Sequence, residues 1–563
     1  MKEEIQKFWK GDIEDGDEAI KKYSRDASLF VVIPKLVLFP KDSTDVENLV
    51  KWANENKTKY PDLSITARSA GTCMAGGPLN NSIIIDFTRY MHQIVGVSPV
   101  DPYNMKPMFF GSAPVTISGV ATVEPGCYYR DFEKATLEHD LLLPCFTASK
   151  SINALGGMVG NNSAGELTLR YGKTEDYIKE LEVVFSDGHK YAVRPLNKKE
   201  LYAKIAQGDF EGDIYKNIFQ LINDNSEIIK KAKPIVTKNS AGYYLWNVWD
   251  EEKEIFDLSK LIVGSQGTLA IATKINLRLV QVKKESAMVV VFLKSLDNLG
   301  EMVDDALLAL PETVEAYDDK TIKLALKFWY GFIKKRGLWG AIKLGFSFIP
   351  EMTMLFTGVP KLVLLVECAG DSKEEVRNRI DVLYQKMKKY PNAKARKVFS
   401  KSEAEKYWTI RHDSFALLRE HFQGKQTAPF IDDVIVPAES LPEFFPKVKK
   451  ILDDNKLIYN IHGHAANGNF HLIPLLDLKH KFDPDFILNL ADQVYSLVLS
   501  YHGSIDAEHN DGIIRTPFLE QMYGEKVYSL FEKTKQIFDP QNILNPGKKV
   551  GGSREYIREH IIK

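Results

Sequence analysis

Six of the chain's twelve histidines fall between positions 462 and 509. The run YNIHGHAANGNFHLIPL reads as strand, Asn/Gly turn, strand. In such a hairpin His464 and His471 lie on either side of the turn and can face each other across it. His462, two residues before His464, points to the same face. Farther along, SIDAEHNDG supplies Glu508 and His509. Two imidazoles and a carboxylate suit a catalytic divalent ion with open positions, against the plainer alternative of scattered surface histidines.

The first half carries a different chemistry. RSAGTCMAGG (68–77) follows a strand ending at Thr66-Ala67, and its small residues let backbone N–H groups approach an anion. It is not a G-x-G-x-x-G fingerprint, so a nicotinamide Rossmann site has no support. Nor is Tyr171-Gly172-Lys173-Thr174 a P-loop, because Leu167 stands where that motif needs glycine. Two further loops, SINALGGMVGNNSAGELTLRYGKTEDYI and LIVGSQGTLAIAT, are equally rich in Gly, Ser and Asn. Three such loops together can line one long site for an extended anionic cofactor.

These loops and the hairpin must be carried by a sizeable scaffold. The chain has 563 residues, 44% of them hydrophobic, enough to bury real cores and to exclude disorder. Lys plus Arg is 74 and Asp plus Glu is 75, so no global positive charge exists to drive nucleic-acid binding. The four cysteines, Cys73, Cys127, Cys145 and Cys368, stand far apart, which argues against a cysteine-ligated cluster and suggests a reducing compartment. No apolar leader and no uninterrupted transmembrane run is visible, so a cytoplasmic location is expected.

Strand-like runs are expected at Leu63–Ala67, Ile83–Asp86, Thr116–Glu124 and Glu180–Phe185. A helix over DVENLVKWANEN should be capped by Ser43-Thr44-Asp45, and another should cover Asp131–Asp140. From about Ser286, MVVVFLKS and KLVLLVECAG with the helix after it give an α+β sheet. Residues 320–348 carry seven Lys/Arg and no acid, interleaved with aromatics. That is the composition of an interfacial membrane-binding element, or of a helical insertion packed on the protein.

From about residue 28 to 283 the chain resembles the FAD-binding domain of the vanillyl-alcohol-oxidase (PCMH-type) flavoproteins. VLFPKDSTDV, RSAGTCMAGG, VEPGCYYRDFEKAT, LGGMVGNNSAGELTLRYGKTEDYI and LIVGSQGTLAI stand in that family's order. The resemblance implies FAD contacts at Arg68, Ser69, Ala70, Gly71, Thr72, Gly76 and Gly77 in the first loop. It adds Ser149, Gly156, Gly157, Asn161 and Gly165 around the second, Gly267 in the third, and Asn545 in NILNPGKK. Thr72 occupies the position where some members attach flavin through histidine, so noncovalent FAD is expected.

The second half resembles the D-lactate, glycolate and D-2-hydroxyglutarate dehydrogenase branch, with its His-x-Gly-Asp-Gly-Asn-x-His hairpin and later Glu-His-Gly. Matching positions make His464, His471 and Glu508 ligands of a divalent ion (Zn, Mn or Fe) and His509 the base. Arg411 in EKYWTIRHDSF becomes the substrate-carboxylate cation. Ala466-Asn467 and Asn510-Asp511 depart from the pattern around those ligands. Ile431 in PFIDDVIVP stands where the branch has a lysine for a second carboxylate, favouring D-lactate, then glycolate, over 2-hydroxyglutarate.

The implied fold is α+β: a PCMH-type FAD domain with N-terminal helices (1–283), a cap with the hairpin (284–520), and a C-terminal segment (521–563) returning to the FAD domain. The acceptor would be a quinone or electron-transfer protein, with 320–348 as a contact to the inner face of a membrane. Competing readings are an ether-lipid-synthase relative, a non-catalytic membrane-associated flavoprotein and a metal-only oxygenase.

Overall fold

A computed structural model describes residues 1–101, 107–109, 114–327, 358–421, 426–476 and 483–562. The basic aromatic segment anticipated at 320–348 therefore lies outside the described residues from 328 onward. No described helix is long and apolar enough to cross a membrane.

Residues Leu36–Phe39, Ile83–Asp86 and Ile65–Arg68 form parallel neighbours, with Asp12–Glu14 antiparallel at one edge. The strand IIID is apolar on both faces because both are covered. Ile83 and Ile85 pack with the helix Ser43–Asn56, while Ile84 packs with Tyr23, Val37 and Phe39. That helix is capped by Asp42, one residue before the expected Ser43-Thr44-Asp45. Its carboxylate accepts from the N–H groups of Thr44 and Asp45. A second, antiparallel sheet orders Lys190–Val193, Ile178–Val184, Ile271–Gln281, Pro114–Val123 and Ile94–Pro99.

The second half is built on an antiparallel sheet in the order Ala393–Val398, Glu285–Leu293, Leu362–Gly370, Thr313–Asp318, Ile458–His464, Asn469–Leu476 and Gln426–Thr427. Alternation along Glu285–Leu293 shows why it holds. Val289, Val291 and Leu293 face one apolar core, which includes residues of the helices Lys373–Met387 and Leu441–Asp454. Met288, Val290 and Phe292 face another, with Tyr407 of the helix Lys401–His421. Each buried side chain of this kind contributes about 1.5–3 kcal/mol.

The chain then returns to the first half. After the helix Leu519–Phe538, Ile65 N–H donates to the carbonyl of Ile543 and Asn545 N–H to the carbonyl of Ile65. The C-terminal segment is thus laid beside the strand that launches the first glycine-rich loop.

Candidate active site

All three glycine-rich loops and the histidine hairpin open onto one cavity of about 580 Å³. From the first loop Arg68, Ser69, Ala70, Gly71, Thr72 and Gly77 line it. From the second come Ser149, Gly156, Gly157, Asn161 and Gly165, and from the third Gly267. At the far end stand His464, His471, Glu508, His509 and Arg411. Gly76 and Asn545 stand outside this wall. Gly76 faces the side chains of Phe30 and Ile513. Buried Asn545 fastens two loops from behind, donating to the carbonyls of Gly77 (3.0 Å) and Gln266 (2.6 Å) and accepting from Thr66 Oγ1 (2.7 Å).

The loop end is made largely of backbone. A Cβ on Gly165 would stand 2.0 Å from the carbonyl oxygen of Phe146, so only glycine lets these two stretches touch. Asn510, between the hairpin half and the loops, donates its amide to the carbonyls of Asn161 (3.1 Å) and Gly264 (2.9 Å).

The hairpin end is made of side chains. The strands Ile458–His464 and Asn469–Leu476 pair with His462 opposite His471 and His464 opposite Asn469. His471 is therefore not directly across from His464, as the sequence suggested, but diagonal to it on the same face, with ring centroids 5.6 Å apart. Gly468 (φ +73°) closes the turn where a Cβ would meet the carbonyl oxygen of Val436 at 1.8 Å.

His464 Nε2 and His471 Nε2 each lie 3.4 Å from the same oxygen, Glu508 Oε1. A tetrahedral ion with ligands at about 2.1 Å has ligand–ligand edges near 3.4 Å. The remaining ring nitrogens are held by carboxylates: His464 Nδ1 by Glu315 (2.5 Å) and His471 Nδ1 by Asp432 (3.0 Å). Carboxylate–histidine pairs of this kind fix the tautomer that presents Nε2 to a metal. Two of the three ligand edges thus match a divalent ion, and the donor types suit one.

Asp433, His471, Glu508 and His509 also gather ligand atoms within 4.8 Å of one another. Asp433 is already saturated, however. Its Oδ2 accepts the N–H groups of Ala507, Glu508 and His509, and its Oδ1 accepts from Asn469. It is a clamp that orients the Glu508-His509 pair, and it holds a left-handed backbone (φ 66°) to do so.

The electrostatics follow from burial set against partners. Burial opposes ionisation of Glu315, yet His464 and Arg411 beside it hold its carboxyl at about 2. Burial likewise opposes a charged His509. Asp433 and Asp432 outweigh it, keeping His509 above the ordinary histidine range. Asp432 Oδ2 lies 3.1 Å from His509 Nδ1, and the His509 ring stacks on His471 at 5.0 Å.

Four supporting residues escaped the sequence reading. Glu315 and Lys238 carry no local signal. Lys238, fully enclosed, places Nζ 3.0 Å from Glu508 Oε2 and reaches the carbonyl of Gly165 at 3.4 Å, linking the loops to the hairpin site. Asp432 and Asp433 had a signal, two adjacent acids within the apolar run PFIDDVIVP. Arg411 is also not a simple cation facing the cavity, because Glu315 takes its Nε (3.1 Å) and Nη2 (3.0 Å). Ile431 needs reinterpreting too. It is buried in the main apolar core, so packing accounts for its character and the position does not report on a second substrate carboxylate.

Comparisons with known proteins agree with this geometry. Residues 34–193 match the family model for an FAD binding domain, and residues 282–549 that for the C-terminal domain of FAD linked oxidases. D-2-hydroxyglutarate dehydrogenase of Escherichia coli (strain K12) is 26% identical over 532 residues, covering 93% of this chain but 49% of that protein. The chain spans about half the length of the first curated relatives it matches. Glycolate oxidase subunit GlcD of Bacillus subtilis (strain 168) is 23% identical, covering 93% of this chain and 91% of that one. D-lactate dehydrogenase of Archaeoglobus fulgidus is 24% identical, covering 93% and 92%. Among solved structures, p-cresol methylhydroxylase superposes with a TM-score of 0.63 at 16% identity, covering 95% of this chain and 93% of that one. Alkyldihydroxyacetonephosphate synthase superposes with a TM-score of 0.62 at 14% identity, covering 97% and 84%. The chain thus carries an FAD binding domain and the C-terminal domain of FAD linked oxidases, in the PCMH-type two-domain fold.

Proposed function

We propose that this chain is an FAD-dependent dehydrogenase that oxidises a small D-2-hydroxy acid, D-lactate first and glycolate second, to the 2-oxo acid. The observation that carries this reading is the single cavity joining the three glycine-rich loops to the His464, His471, Glu508 and His509 cluster. FAD along the loops supplies the acceptor for the substrate's C2 hydrogen and two electrons. A divalent ion held by His464, His471 and Glu508 would polarise the substrate hydroxyl and, by its charge, favour a neutral His509.

The chain's own groups do the rest. Arg411, steadied by Glu315, receives the carboxylate at the hairpin end. His509, its segment pinned by Asp433, accepts the hydroxyl proton. Of the basic side chains that line the cavity, Arg68, Lys150 and Arg411, the last is tied to the hairpin site through Glu315 and suits one carboxylate. Ile473, two residues past His471 on the same strand, adds an apolar wall that suits the C3 methyl of lactate or the second C2 hydrogen of glycolate. A D-2-hydroxyglutarate reading draws support from the names of similar relatives, but it would need a second cation at this wall.

The four cysteines are free and separate, so electrons would leave the flavin directly for an external acceptor, with a quinone or electron-transfer protein proposed ahead of dioxygen. Residues 320–348 are proposed as the contact with the cytoplasmic face of a membrane that would bring a quinone close. Liposome co-sedimentation of the chain with and without 320–348 checks this; equal sedimentation rejects it. The central test is a visible spectrum before and after anaerobic D-lactate. Flavin bands that bleach with D-lactate but not L-lactate are expected. Persistent bands would reopen the substrate, and a colourless protein that takes up no FAD would overturn the reading.

A further inference from the structure

The hairpin carries a third imidazole that neither the proposed ligand set nor the proton step uses. His462 lines the cavity but is only 6% exposed. Its Nδ1 is enclosed without a hydrogen-bond partner, and among the described residues no group bonds the ring at Nε2 either. The enclosed Nδ1 is out of reach of anything entering the cavity, which leaves Nε2 as the ring nitrogen open to a ligand. An imidazole carries at least one N–H in either protonation state, so the ring can donate.

Its neighbours indicate what it meets. His462, His471 and His509 form a row, with ring centroids 5.3 Å and 5.0 Å apart and His471 in the middle. His509, assigned to the substrate hydroxyl, occupies one end. His462 occupies the other, and Arg411, held on Glu315, lines the same cavity. A 2-hydroxy acid has its hydroxyl and carboxylate on adjacent carbons, so a hydroxyl at His509 directs the carboxylate toward the His462 end. Resting on the activity proposed above, we infer that His462 donates its ring N–H to the substrate carboxylate beside Arg411. This makes it a second carboxylate contact and a determinant of affinity.

The test uses the FAD- and metal-loaded protein, with oxalate as a dead-end probe read by perturbation of the flavin spectrum and D-lactate as substrate. His462→Phe keeps a flat ring and removes the donor, and His462→Asn keeps a donor. His462→Met serves the same comparison if the phenylalanine does not fold. Loss of a hydrogen bond to a charged group should weaken oxalate binding and raise KM by about tenfold or more, with kcat little changed. His462→Asn should recover part of the loss, and flavin and metal content should stay at the wild-type level. Unchanged oxalate affinity and KM in His462→Phe, while wild type binds and turns over, would overturn the assignment alone. A fall in kcat with unchanged oxalate affinity would overturn it too, moving His462 into the proton step. A wild-type flavin that binds no oxalate and is reduced by no 2-hydroxy acid would overturn the activity itself.

Discussion

The two ends of the cavity are built from different material. At the loop end the wall is backbone, and the conformations come from glycines and from amide carbonyls tied by Asn510 and Asn545. At the hairpin end a connected set of titratable side chains runs from Arg411 through Glu315, His464 and Glu508 to Lys238, with Asp432 and Asp433 behind. A backbone cradle reads shape and diffuse negative charge, and loses little when a side chain changes, provided no Cβ is added where chains touch. A network of buried charges depends on every member, because removing one leaves its partner uncompensated. Binding of cofactor and chemistry on substrate should therefore be separable by mutation.

The sharpest separation comes from His509→Asn. Loss of a general base is worth about 10²–10⁴ in turnover. The side chain touches none of the loops' supports, so flavin content should be unchanged. Anaerobic stopped-flow reduction measures the first quantity and the visible spectrum the second. If flavin content falls along with the rate, the two ends are one structural unit and the comparison breaks.

Lys238→Met strikes the charge network where it meets the loops. It leaves the buried carboxylate of Glu508 without its nearest cation, a change that typically costs about 3–5 kcal/mol. A divalent ion on Glu508 would supply the missing charge. The fall in Tm should therefore be large in chelator-treated protein and smaller once metal is restored. Equal losses in both states would count against Glu508 as a ligand.

Gly165→Ala is the converse test. The added Cβ collides with the Phe146 carbonyl, and overpacking of this kind costs about 1–3 kcal/mol. Flavin affinity should drop, while divalent-metal binding to the flavin-depleted protein stays near wild type. Isothermal titration with metal and with FAD separates the two. A matching loss of metal affinity would show that the loop positions Glu508 through Lys238 more firmly than the backbone picture allows.

The same contrast governs what the sequence could reveal. Glycine-rich loops are contiguous, so SAGTCMAGG and LGGMVGNNSAG announce themselves, and a hairpin keeps His464 and His471 within eight positions. Its register was harder to read. Placing His462 opposite His471 depends on the four-residue turn Ala465–Gly468, whose composition gave no count of paired residues. The network's other members come from remote strands and loops: Glu315 lies 149 residues before His464, and Lys238 270 residues before Glu508. Nothing local distinguishes a lysine in PIVTKNSAG from a solvated one, so only the fold identifies it. Ile431 errs in the opposite direction, since a position matched to a functional residue turned out to face the core.

One titratable group lies beneath the cradle and gives the finest test of how indifferent that end is to charge. Asp26 accepts from the N–H and hydroxyl of Ser28, while its Oδ2 is enclosed without a partner. Burial lifts its carboxyl to about 6, against the pull of Ser28, Arg68 and the Gly76 N–H. Lys548 acts on the same space, lowered by burial to about 7, with its ammonium donating to the carbonyls of Leu79 and Pro546. Cys73 completes the set, its thiol pushed up to about 11 by burial and by Asp26. Because the folded value of Asp26 is raised, its stabilising contribution is fully present below the ordinary carboxylate value and is lost as pH rises through about 6. Asp26→Asn mimics the protonated form at every pH. Its Tm should therefore match wild type near pH 4 and exceed it by a few degrees above pH 6, measured by thermal denaturation across that range. A constant offset across the range would show that Asp26 is fully compensated by Lys548 and Arg68. Charge beneath the loops would then be balanced as tightly as at the hairpin, and the distinction between the two ends would rest on the glycines alone.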